Sequence, residues 1–257
     1  MATLVKQEIF KLTKKKSTWI CTAFLIIIQI AMAIAVKTYP RFMDPSEAFS
    51  SMFLGGALVV FFMIAASATI ITMEFQYGTI KELLYRRYFR GQIWTSKWIT
   101  MFLYSIYWFV LTFIISLLLK MTLFNSQIDF SQMLSGNNTV LGLSIKTLLA
   151  NFLTLWLILS LVFLLANIFK NSAAAVSVGI IGYFATSIIS SILMMLIQKW
   201  EWVKWNPFTM LYLPGQVQAS QMSNLTKLSI NQMITGNFVY IIIFFVLGYW
   251  IFKKRSV

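Results

Sequence analysis

Six long stretches of this chain contain no aspartate, glutamate, lysine or arginine: Ser17–Val36, Phe49–Met73, Trp98–Leu119, Leu148–Phe169, Ser172–Ile197 and Met233–Phe252. Nothing else in the sequence constrains the fold as much. A helix of about 20 apolar residues crosses the roughly 30 Å hydrocarbon core of a bilayer. Within lipid every backbone amide needs a partner inside the protein, so only helices and closed barrels can span. Barrel strands need only about 9–11 residues, and these runs are far longer and unbroken. They predict an all-α membrane protein with six transmembrane helices in one domain, residues 1–257. Composition agrees, with 59 % hydrophobic and 11 % charged residues, where soluble domains carry about 25 % charge.

Composition also excludes chemistry. Histidine is absent and Cys21 is the single cysteine. That removes an imidazole base, a histidine metal ligand and a histidine-activated nucleophile. Cys21 sits in an apolar run and reads as a small buried side chain. No catalytic residue, metal site or cofactor site is expected in this chain. The net charge of +14 does not point to nucleic acid. It collects at the ends of the apolar runs, where each basic residue gains about 1 kcal/mol from anionic headgroups. Membrane lipid is therefore the expected partner of that charge.

Lys14-Lys15-Lys16 followed by an apolar run with Ala31-Met32-Ala33 imitates a secretory signal. The run is too long for one, and a basic amphipathic segment precedes it. It reads as a retained first span. Basic residues then set the orientation. Lys6, Lys11, Lys14–Lys16, Lys81, Arg86, Arg87, Arg90, Lys97, Lys170 and Lys253–Arg255 fall on one side, fourteen of the 21. The expectation is a multi-pass protein of the bacterial cell membrane with both termini cytoplasmic.

Two segments outside the spans carry pattern. In residues 2–16, Val5, Ile9 and Leu12 recur at helical spacing with Leu4 alongside, and Lys6, Lys11, Lys14 and Lys15 can face water. This predicts an amphipathic helix lying in the interface. The second segment connects the second and third spans, Glu74–Lys97. Gly78 supplies a permissive joint. Thr79-Ile80-Lys81-Glu82 fits the T-x-x-E capping box, so a helix should start at Thr79. Ile80, Leu83, Leu84 and Arg87 share one face of it, and Gly91 is expected to end or turn it.

The pattern Glu74, Gly78, Thr79, Lys81, Leu83, Leu84, followed by a basic stretch and Lys97, resembles the permease subunit of type-2 ABC exporters. Chain length, six spans, the N-terminal amphipathic helix and the shared side of the termini fit the same family. One departure is Arg86-Arg87-Tyr88-Phe89-Arg90, where relatives often place a proline. The resemblance implies that Thr79–Arg90 is a coupling helix seated on a separate ATPase subunit. It makes Glu74, Gly78, Thr79, Ile80, Lys81, Glu82, Leu83, Leu84 and Arg87 the coupling residues. Two permeases, identical or paralogous, would pair with two ATPases, which bind the ATP and Mg²⁺. This chain has no G-x-x-x-x-G-K-[ST] phosphate loop and is not expected to be an enzyme. Compact relatives handle antimicrobial or toxin peptides, as in bacitracin and lantibiotic immunity, so a hydrophobic or amphipathic peptide is the expected cargo. A signalling subunit that uses the same loop without cargo is the alternative.

The energy source follows from charge as well. Ion-coupled transporters place ionisable groups within the membrane, and the six runs have none. Gln29, Asn151 and Asn167 are their most polar residues. They are candidates for a substrate path or for hydrogen-bonded glue between helices. Ala173–Ala175, Gly179 and Gly182 predict close packing of the fifth span. Trp200, Trp202 and Trp205 mark the segment before the last span as an interfacial or re-entrant element.

Overall fold

The computed structural model describes residues 1–39, 41, 43–85, 88–125, 127–131, 133–134, 138–169 and 171–255, and leaves out the side chains of 82–84, 133–134, 138, 187 and 220. The chain is helical almost throughout. In order come α1 (Ala2–Lys14), α2 (Lys16–Thr38), α3 (Pro45–Ser50), α4 (Gly55–Gln76), α5 (Thr79–Tyr85) and α6 (Arg90–Leu123). Then follow α7 (Val140–Ala166), α8 (Ser172–Lys199), α9 (Pro207–Met210), α10 (Leu213–Gln218), α11 (Ser223–Thr226) and α12 (Ile230–Lys254). Strand structure among the described residues is one two-residue ladder, Met133–Leu134 with Asn138–Thr139. Five helices are long and apolar enough to cross a membrane, and α8, bent by 40° between Thr186 and Ile188, brings the number to six when its two halves are counted as one span.

Local chemistry sets the helix starts. Thr139 accepts a hydrogen bond from Gly142 N at the head of α7, and Asn171 from Ala173 N at the head of α8. Ser229 and Gln232 bond each other's backbone N–H in a capping box that opens α12. Between α1 and α2 only Lys15 leaves the helix, with extended backbone at φ −70° and ψ 121°.

Three helices form the centre. α4, α6 and α7 pack on one another; α2 lies against α4 and α6, α8 against α4 and α7, and α12 against α6 and α7. Half of the apolar window of α7 is buried but only 17 % of that of α12, which separates inner from outer helices. Small residues permit the close approaches. A Cβ on Gly179 would stand 2.7 Å from Ile64, and one on Gly55 2.5 Å from Thr112. Gly182 meets nothing within 4 Å, so of the two expected contact glycines of α8 only Gly179 makes one. Both chain ends lie at the same end of the bundle, called here the terminal face; the opposite end is the far face.

The structure departs from the sequence reading at several places. The second run is two helices. Met52, Phe53 and Leu54 have φ of 55°, 48° and 66°, a left-handed turn that costs about 1–2 kcal/mol per residue. Burial offsets this: Phe53 is fully buried and stacks on Phe124 at 5.7 Å. The helix that carries the fourth run begins at Val140, before Leu148, where Thr139 caps it. Gly91 is inside α6 and does not end α5, since Tyr88 and Phe89 between the two are already outside a helix; its bare Cα makes room for the Tyr249 hydroxyl. In α1, Leu4 and Leu12 of the expected stripe are buried, Val5 and Ile9 are half-buried, and Glu8 joins the buried face. The segment before α12 is built into the bundle, with Met210 and Leu213 buried against Ala150, Leu157 and Met233.

Candidate coupling site at the terminal end of α4

The helix α4 continues past its apolar run, so Glu74, Phe75 and Gln76 are its last turn. Helical geometry points three consecutive residues about 100° apart, and each meets a different neighbour. Glu74 is buried and faces α6 and α1. Its Oε1 lies 3.0 Å from Lys97 Nζ and 3.2 Å from Lys11 Nζ. Glu8 completes the cluster, with Oε1 2.8 Å from Lys11 and Oε2 3.7 Å from Lys97. Lys97 is 1 % exposed and also donates to Ile70 O at 2.8 Å. Two carboxylates and two ammoniums thus balance at the end of three helices. The six runs are free of charge as read, but the helices outgrow them and bury this cluster at their ends.

Phe75 faces α12. Its ring is edge-on to Phe252 at 5.6 Å, and the Arg255 guanidinium lies 3.8 Å from its centroid. Arg255 also donates to Phe169 O at 2.7 Å and Ala166 O at 3.2 Å, satisfying carbonyls that the end of α7 leaves open. Arg90, first residue of α6, donates to Lys253 O at 2.7 Å and Arg255 O at 2.8 Å. Gln76 faces α8, where its Oε1 accepts from Ser172 Oγ at 3.1 Å. The end of α4 is therefore tied to α1, α6, α8 and α12 within one turn.

One residue later the chain leaves the helix. Gly78 takes φ +70° with nothing near the place of its missing Cβ, so its role is backbone conformation alone. α5 begins at Thr79, the expected helix start, and the Glu82 half of the expected capping box lies outside the described residues. Ile80 is 2 % exposed and joins the same buried cluster as Leu12, Ile71 and Ile93. Thr79, Lys81 and Tyr85 are exposed. The side chains of Glu82, Leu83 and Leu84, and Arg87 altogether, lie outside the described residues. Lys11 sits on α1, clear of the spans. Burial works against its charge, but the bond to Glu8 and the charges of Glu8 and Glu74 outweigh it and raise its pKa above 10.5.

The three polar span residues divide. Gln29 is fully buried; its Nε2 donates to Met52 O at 2.9 Å, Ser116 Oγ at 3.2 Å and Thr112 O at 3.3 Å. It ties α2 to α6 and to the left-handed turn. Asn167 caps the end of α7 and donates to Phe163 O and Gly248 O. Both act as glue between helices. Asn151 instead lines a cavity of about 390 Å³ with Thr154, Tyr183, Thr186, Ser190 and Tyr212. A larger apolar groove, about 1060 Å³, lies between α6, α7, α10 and α12, with Trp98, Phe102, Trp156 and Phe238 in its walls. Sequence reasoning missed Glu8, Arg90 and Arg255 as site residues. Glu8 carried a signal: it is the one acid in a lysine-rich helix, on the same face as Leu4 and Leu12.

Comparison with known proteins adds a family. The model of the family described as a protein of unknown function, DUF2705, matches residues 42–257, and the chain belongs to that family. It is 26 % identical over 252 residues to the uncharacterized membrane protein YdbK of Bacillus subtilis, covering 96 % of this chain and 99 % of that protein. It is 27 % identical over 208 residues to the uncharacterized protein YhcI of the same organism, covering 76 % of this chain and 64 % of that longer protein. The all-helical fold and the membrane-protein relative make this a multi-pass helical membrane protein.

Proposed function

We propose that this member of the DUF2705 family is the membrane subunit of an ATP-driven exporter of the type-2 ABC kind. In this reading the terminal face is cytoplasmic, α1 lies in the inner interface, and α5 seats on a separate ATPase that binds ATP and Mg²⁺. The observation that carries it is the tying of residues 74–76 to four helices directly before Gly78 and α5. A force on α5 enters α4 where it cannot move alone. Ile80 holds α5 to the bundle, while Thr79, Lys81 and Tyr85 remain exposed for a partner. Rearrangement of α4 against α7 and α8 would reshape the Asn151 cavity, in a transporter formed with a second copy or a paralogue. Neutral amide and hydroxyl groups there, and the apolar groove on the other side of α7, suit an amphipathic peptide better than an ion.

The test is co-expression with the ATPase encoded beside it. A detergent-stable complex is expected, with ATP hydrolysis stimulated by amphipathic peptide and peptide translocation in reconstituted vesicles. Gly78→Pro and the double variant Leu83→Asp/Leu84→Asp should lose association or uncouple hydrolysis. If both behave as wild type, the coupling assignment fails. Stimulation without translocation would favour a signalling subunit that has no cargo.

A further inference from the structure

At the break between α1 and α2 is a third pocket, apolar and partly open, about 260 Å³, walled by Ile9, Leu12, Trp19, Leu103, Tyr104 and Tyr107. Four of its five polar wall side chains, all but Tyr107, bond to the protein itself in the structure. Trp19 Nε1 donates to Thr13 O at 3.0 Å, and Tyr104 OH donates to Thr18 Oγ1 at 3.2 Å. Thr18 Oγ1 in turn donates to Leu12 O at 2.7 Å, and Thr13 Oγ1 to Phe10 O at 3.0 Å. What enters this pocket meets mostly carbon, which favours hydrocarbon. The volume is below the roughly 300 Å³ at which small-molecule sites begin, which suits part of one chain and not a bulky cargo.

The mouth of the pocket supplies the opposite chemistry. Lys14, Lys15 and Lys16 fill the helix break between Thr13 and Thr18, which line the pocket; among the described residues none of them makes an ion pair, and Lys14 lies over the Phe10 ring at 5.7 Å. Lys14 and Lys16 are exposed. Trp19 and Tyr107, both partly open, are the amphipathic rings that favour headgroup depth. An apolar slot beside three lysines that have no acidic partner among the described residues matches a molecule with an acyl chain and an anionic head. The same charge disfavours a cationic amphipathic peptide.

We propose that this pocket is a specific site for an anionic phospholipid of the leaflet bordering the terminal face. One acyl chain lies between α1, α2 and α6, and the phosphate rests on Lys14–Lys16. The site adjoins the ionic cluster, since Leu12 lines the pocket and Glu8 and Lys11 are on the same helix. Bound lipid therefore holds α1 in the position where Glu8 and Lys11 meet Glu74 and Lys97. This inference requires only that the chain be embedded in a membrane and does not rest on the exporter reading.

The experiment uses the full chain in phosphatidylcholine vesicles containing a rising fraction of phosphatidylglycerol brominated on its acyl chains. Bromine quenches nearby indole, and the difference between wild type and Trp19→Phe isolates Trp19. Quenching of Trp19 should saturate at a low phosphatidylglycerol fraction, whereas brominated phosphatidylcholine should quench only in proportion to its abundance. One basic side chain at an anionic surface is worth about a fivefold preference. Lys14→Gln/Lys15→Gln/Lys16→Gln should therefore lower the preference for phosphatidylglycerol by more than tenfold. Leu103→Phe, which fills the pocket, should remove the saturating phase and leave the proportional one. Equal quenching of wild-type Trp19 by the two brominated lipids overturns the proposal without any variant. So does a triple lysine variant with unchanged preference, or a saturating phase that survives Leu103→Phe. None of these readouts involves an ATPase, so the exporter reading stands or falls separately.

Discussion

Replacing Lys97 by methionine tests whether the ionic cluster holds the bundle together. Methionine keeps much of the stem volume and removes the charge. Lys97 is 1 % exposed, and its partners Glu74 and Glu8 are 5 % and 7 % exposed, so the loss leaves two buried carboxylates facing one ammonium. Removing one partner of a buried pair costs about 3–5 kcal/mol, because the other charge stays behind uncompensated. Lys11 remains 3.2 Å from Glu74, which places the cost near the lower end, about 3 kcal/mol, or more than a hundredfold in the folding equilibrium. The double variant Lys97→Met/Glu74→Gln restores balance, leaving Glu8 with Lys11, and should recover more than half of that loss. Equilibrium unfolding in mixed micelles, followed by tryptophan fluorescence, measures both. Lys227→Met is the control, since the Lys227–Glu201 pair on the far face is open to solvent and such pairs contribute about 0–1 kcal/mol. If Lys97→Met costs no more than the control, or if the double variant is as unstable as the two single losses added, the cluster is not the joint described.

Two further outcomes come from the same structure. Gly55→Ala should cost about 1–3 kcal/mol by overpacking, because the new Cβ would stand 2.5 Å from Thr112 and 2.6 Å from the Gln29 amide; Gly182→Ala, with open space around it, should be close to neutral in the same unfolding assay. For pH, the Lys11 pKa is raised above 10.5 in the folded protein. Its contribution to stability is complete below that value and is lost as pH rises through the higher folded value, so an alkaline weakening above pH 10.5 should appear in wild type and be absent in Lys11→Met.

The spans were legible because hydrocarbon leaves a sequence no choice of residue over so long a run. Gly78 and the start of α5 were legible because turn chemistry is local. The ionic cluster was only half legible. Glu74 and Lys97 stood out at the ends of apolar runs, but Glu8 is 66 positions from Glu74 and lies among lysines, where a carboxylate reads as part of a wet face. Packing of α1 on α6 buries Glu8 between Leu4 and Leu12 of the predicted stripe and leaves Val5 and Ile9 half-buried. Arg255 looked like one more basic residue in a tail; its reach to Phe169 O and Phe75 depends on three helices ending at one level. The turn at Met52–Leu54 had no local signal at all, since the two glycines that mark the region, Gly55 and Gly56, come after it.

That turn has a consequence for how the sequence can drift over generations. Three left-handed residues and the Gln29 amide that reaches Met52 O form one inherited unit whose halves lie in different helices. A lineage that exchanges Gln29 for an apolar side chain leaves the Met52 carbonyl without that donor, and the break in the second span loses its support. Selection would then favour residues at 52–54 that wind the segment back into an unbroken helix. In an alignment of relatives the amide and the turn should therefore appear together or disappear together.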